Sequence, residues 1–258
     1  AIGSTTSRRA RIDNPPIQGD GSSRPTREPA DPDLIRQDYI IRMLEQFAAM
    51  VAKITGLIDE RDSVAAQEAM DRLADEILDL EPGGLTNLTE SQLLERILKT
   101  TPPTVAREKV LMFAAALEQA AAVFGLDGEE KRRRASLLTS LNLTLWVERF
   151  QSDGPRLEFG PRVENLLFAL DGVALPIDTS LNLMRHYEAE ETFGKAEDVL
   201  HRLKAERSVL DILPKLGIEF YQRLMAKPDS LLAQGNLPRD EVESGLQEWR
   251  AAFEQSPA

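Results

Sequence analysis

The chain contains only two histidines, His186 and His201, and they lie on either side of Gly194. A helical hairpin turning at Gly194 would bring the two imidazoles to similar heights on antiparallel helices. Glu190 follows His186 by one helical turn, and Glu197 and Asp198 precede His201 by about one turn. Residues three or four apart share a helix face. Helical bundles build carboxylate–histidine metal sites in this way. His186, Glu190, Asp198 and His201 therefore form one conceivable metal set. The pattern occurs once, whereas di-metal bundles need several inward acids. A register with Ala196, Leu200 and Leu203 inward would also turn His201 outward. Histidines with a structural role are the stronger expectation.

Other reactive patterns are weak. The carboxylates Glu129 and Glu130, Glu188 with Glu190 and Glu191, and Asp240 with Glu241 fall in first helical turns or on solvated faces. The helix dipole favours acids in first turns. The chain has no Gly-x-Ser-x-Gly element and no phosphate-binding glycine loop. Gly83 and Gly84 follow Pro82 and read as a helix C-cap. Lys131, Arg132, Arg133 and Arg134 make the one dense basic run in the body. Consecutive residues point in different directions around a helix, so this run reads as a solvated face. No catalytic residue and no cofactor is expected.

The composition narrows the classes further. The 258 residues are 42% hydrophobic, enough for a sizeable core, and no cysteine is present to form disulfides or thiolate metal sites. The net charge of −12 disfavours nucleic acid and anionic membrane surfaces, and it favours basic partners. No membrane span is expected, for want of an uninterrupted run of about 18 apolar residues. Residues 1–32 carry five prolines and few apolar side chains. Such a segment cannot offset its ordering entropy, and it reads as a disordered arm. Its Arg8, Arg9 and Arg11 are balanced by acids within the same arm.

From Asp33 onward the spacing is helical. Leu34, Ile41, Leu44, Ala48, Val51 and Ile54 define a first helix with a wide stripe. A second helix with Ser63 as N-cap runs to about Leu80. Thr89 and Gln92 form a capping box ahead of a short helix. Long helices follow over about 104–124, Ala-rich, and about 128–150, where Trp146 is expected to be buried. A loop over 151–160 marks a candidate subdivision. Beyond it, Pro161 opens a short helix, and further helices cover about 178–192 and 195–206. Ser208 and Asp211 suggest a cap, a helix over 215–226 follows, and a helical turn spans Ser230 to Gln234. The last helix starts at Pro238, with Val242, Leu246, Trp249 and Phe253 on one face. No strand is expected.

Leu183, Tyr187, Phe193, Ala196, Leu200 and Leu203 carry the spacing of a tetratricopeptide repeat, and this segment resembles one. The first-helix Trp of that repeat is absent, and Met184 stands where a small residue is usual. The order of segments also resembles an uncharacterised bacterial family of helical proteins of unknown function. That resemblance rests on Asp38 to Gln46, Gly194 to Leu200, Phe220 to Leu224 and Gly235 to Val242. It implies a helical fold and carries no activity.

These readings combine into one expectation. The fold class is all-α, with antiparallel hairpins over 33–258 stacked as a short tetratricopeptide-like solenoid behind the disordered arm. The function is a cytoplasmic, non-enzymatic scaffold that binds a protein or peptide, with basic partners favoured, and neither nucleic acid nor membrane. Outward residues of the clearest hairpin, Asn182, Arg185, His186 and Ala189, are the candidate contacts. The alternatives are a metalloprotein or enzyme around His186 and His201, and a self-associating subunit such as a dimer, motivated by the wide stripe of the first helix.

Overall fold

A computed structural model describes residues 32–150, 157–205 and 213–254, with side chains from Ile40 onward. The disordered-arm reading of 1–32, the first part of the 151–160 loop and the Ser208–Asp211 cap lie outside the described residues. Among those described, the protein is entirely helical. Its elements are α1 (Pro32–Asp59), α2 (Ser63–Glu76), α3 (Gly84–Asn87), α4 (Glu90–Thr100), α5 (Pro103–Leu126), α6 (Glu130–Phe150), α7 (Val163–Ala169), α8 (Ile177–Ala189), α9 (Phe193–Ala205), α10 (Leu213–Met225), α11 (Asp229–Gln234) and α12 (Arg239–Glu254).

The local chemistry explains most helix ends. The Thr89 side chain accepts from the Gln92 backbone N–H, and Gln92 reaches back to the Thr89 N–H at 2.8 Å, so the capping box of α4 is present. At α2 the cap is Asp62 rather than Ser63. Its carboxylate accepts from Ala65 N at 3.0 Å, and a carboxylate serves the orphan N–H groups at least as well as a hydroxyl. Gly83 does not cap α2. It sits at φ +74° and opens the four-residue helix α3, which has too few residues for a periodic signal. Pro161 lies two residues before α7 instead of opening it.

The α5–α6 hairpin is the spine. On one side Phe47, Ile54, Met70, Leu73, Leu93 and Ile97 bury against α5 and against Leu143 and Val147 of α6. On the other side Leu137, Leu141 and Leu145 of α6 join a second core built from α7 to α12. Successive faces of α6 thus serve two cores. The helix α5 is buried on nearly all sides, because its run of alanines lets neighbours approach closely. By length and composition it could also cross a membrane, contrary to the expectation that no such stretch exists, but 67% of that span is buried within the protein.

The hairpin of α8 and α9 forms as the spacing implies. Leu183, Tyr187, Phe193, Ala196, Leu200 and Leu203 are all buried. Glu191, at φ +57°, makes the reversal between the helices. Next to it α10 and α12 interlock: a Cβ on Gly217 would lie 2.3 Å from the Trp249 ring, and one on Gly245 would lie 2.3 Å from the Tyr221 ring. Each helix presents a glycine to the other's aromatic. Val242, Leu246 and Trp249 are buried as expected, whereas Phe253 is 51% exposed because it lies past the end of this contact. Trp146 is only half-buried, packed at the margin of the first core.

Candidate functional site

The polar side chains converge where α5, α6, α7, α8 and α9 meet. His186 lies in the last turn of α8, and Glu190 is the residue that caps this helix. Glu148 reaches the same place from the last turn of α6. One ligand atom from each of Glu148, His186 and Glu190 lies within 4.8 Å of the other two. The three residues line an open cleft of about 460 Å³ that also receives Arg107, Arg162, Asn165 and Thr192. Burial pushes the His186 imidazole below its ordinary range, against the opposing pull of Glu148, Glu190 and Glu164. Burial thus favours the neutral form of the ring.

A second open cleft of about 460 Å³ adjoins the first. The wall between them is Glu164, Tyr187 and Lys195, which line both. Lys195 Nζ donates to Glu164 Oε1 at 2.6 Å and lies 5.2 Å from the centre of the Tyr187 ring. Burial, reinforced by the neighbouring Glu164, pushes the Tyr187 phenol well above its ordinary range, so it stays protonated. The second cleft is floored by Leu183 and Val199 and rimmed by Leu167, Val173 and Leu175. Phe168, at 85% exposure, stands at its edge.

The four residues read from sequence as a metal set are divided among three places. His186 and Glu190 meet Glu148 in the first cleft. Asp198 lines the second cleft with Arg202. His201 faces α10 and α12, with Nε2 3.4 Å from the Tyr221 hydroxyl and its ring 6.0 Å from Trp249. It is thus half-buried instead of outward, because α10 and α12 cover the face that an isolated α8–α9 hairpin would expose. The Tyr221 hydroxyl donates to Glu197 Oε1 at 2.5 Å. Burial first, despite that hydrogen bond, raises the Glu197 carboxyl.

The candidate partner contacts on α8 also separate. His186 lines a cleft. Asn182 accepts hydrogen bonds from Arg149 at 3.2 Å and Arg185 at 3.3 Å, and so joins α6 to α8. Arg185 and Ala189 are exposed. The basic run at 131–134 is a solvated face with local pairs: Arg132 binds Glu129 at 2.8 Å, and Arg133 and Arg134 meet Glu130.

Glu148 and Phe168 are not among the residues that the sequence patterns single out. A signal for Glu148 exists, since it continues the stripe Leu137, Leu141, Leu145 of α6 by one turn toward α8. Phe168 carried none, because a single aromatic in a seven-residue helix gives no period to read.

The fold and clefts define an all-helical protein with two adjoining clefts around α7, α8 and α9. Residues 34–254 match a family described as a family of unknown function, DUF6483, and the chain belongs to it. No curated protein matches the chain, and no solved structure does.

Proposed function

We propose that the protein is a non-enzymatic scaffold that takes a segment of a partner protein into the cleft between α7 and the α8–α9 hairpin. The observation that carries this reading is Phe168, 85% exposed beside a cleft with leucine and valine on its floor and rim. An aromatic side chain beside an apolar-floored cleft offers the large surface and the neighbouring pocket on which interface hot spots are built. The net charge of −12 favours a partner segment with Lys or Arg flanking an apolar side chain. Buried small and large side chains between α8 and α9 support reading this hairpin as one unit of a short tetratricopeptide-like stack. Stacked units of that kind present grooves to peptides.

The test is an arrayed set of peptides with a central Leu or Phe flanked by either Lys/Arg or Glu. The basic set is expected to bind, and Phe168→Ser to lower its affinity by about tenfold, on the scale of an aromatic anchor worth over 1 kcal/mol. Phe253→Ser, also exposed but outside the cleft, serves as the control. Equal binding of acidic and basic peptides, or no effect of Phe168→Ser, would refute the reading.

A further inference from the structure

We propose that Glu148, His186 and Glu190 form a binding site for one divalent transition-metal ion, with Zn²⁺ as the best-matched probe. Two different helices supply the donors, and His186 and Glu190 stand one turn apart on α8. All three ligand atoms lie within 4.8 Å of each other. Three donors bound to a tetrahedral zinc at about 2.0–2.2 Å stand about 3.3–3.6 Å apart. Closure therefore needs the side chains to draw together by at most about 1.5 Å, within the rotamer freedom of two glutamates at a cleft wall.

The electrostatics point the same way. Among the described residues, neither Glu148 nor Glu190 takes part in an ion pair, although Arg107, Arg162 and Lys195 line the same cleft. One nitrogen and two carboxylate oxygens suit zinc better than magnesium, which prefers oxygen donors and retains its waters. Three protein donors leave a fourth position open to the cleft, where Thr192 and Asn165 line the wall.

The test is calorimetric titration of the chelator-stripped full chain with Zn²⁺ and, separately, with Mg²⁺. The expected result is one Zn²⁺ per chain and no comparable Mg²⁺ binding. His186→Ala and Glu148→Gln should each weaken Zn²⁺ affinity by about tenfold or more, the scale on which even outer-shell partners act. His201→Ala should leave it unchanged. Circular dichroism of each variant confirms that the helices persist. Absence of a one-to-one Zn²⁺ isotherm would overturn the proposal, as would affinity that survives both ligand substitutions or is lost in His201→Ala. Loss of peptide binding by Phe168→Ser concerns the neighbouring cleft, so the two readings fail separately.

Discussion

Single side chains in this protein are governed by what surrounds them more than by their type. Glu118 on α5 shows this, because burial alone raises its carboxyl above the usual 4.5. A folded-state value above the unfolded one means that the native protein holds its proton longer as pH rises. Stability then falls as pH climbs through and beyond 4.5, where the buried carboxyl must ionise. Glu118→Gln removes that penalty. The variant is expected to be more stable than the parent at pH 7 and to lose this advantage near pH 4, both read by urea denaturation. An equal gain at both pH values would show that something other than ionisation is responsible. The contrast between the two histidines follows the same logic. His186 opens on a charged cleft, while His201 is enclosed by Tyr221 and Trp249. Nothing in the flanking sequence of either residue separates these fates, since the covering helices come from elsewhere in the chain.

Elements with a strong local code were legible. The capping box of α4, the Ala-rich α5 and the buried positions of α8 and α9 follow from spacing and termini, whereas the stripe of α1 is rotated from the expected one: Met43, Phe47, Met50 and Ile54 face the first core while Ile41 and Ala48 are exposed. The short helices α3 and α7 were displaced or missed, because four and seven residues give too little period. What the sequence could not reveal is which helices meet. Glu148 joins His186 only through the packing of α6 on α8, and Glu197 finds Tyr221 only because α10 packs on α9. The α10–α12 interface makes this measurable. Gly245→Ala places a methyl group 2.3 Å from the Tyr221 ring, so the helices must separate or the ring must leave its rotamer. Overpacking of this kind costs about 1–3 kcal/mol. The loss should appear as a lower denaturation midpoint with unchanged slope. A neutral effect would mean that the interface is looser than its geometry implies.

At the level of the whole molecule, α6 contributes Leu143 and Val147 to one core and Leu137, Leu141 and Leu145 to the other. A helix shared in this way ties the stability of each side to the other, since neither core keeps its wall if α6 melts. The chain has two tryptophans, Trp146 beside the first core and Trp249 within the second. Trp146→Phe therefore leaves a reporter of the second side alone, while the parent chain reports both. Fluorescence transitions in urea are expected to coincide with each other and with far-ultraviolet circular dichroism. Separate midpoints would show that the halves unfold independently. The same architecture accounts for the position of the clefts. They form where α7 meets the α8–α9 hairpin, and the one around His186 also reaches Arg107 of α5 and Glu148 of α6.

The interlocked glycine–aromatic pairs of α10 and α12 also restrict how this sequence can drift. Growth at 217 demands shrinkage at 249, and growth at 245 demands it at 221. Shrinkage at 221 in turn strips Glu197 of its hydroxyl donor. The four positions behave as one character spelled with four letters, so an isolated change at any of them leaves either a collision or a void.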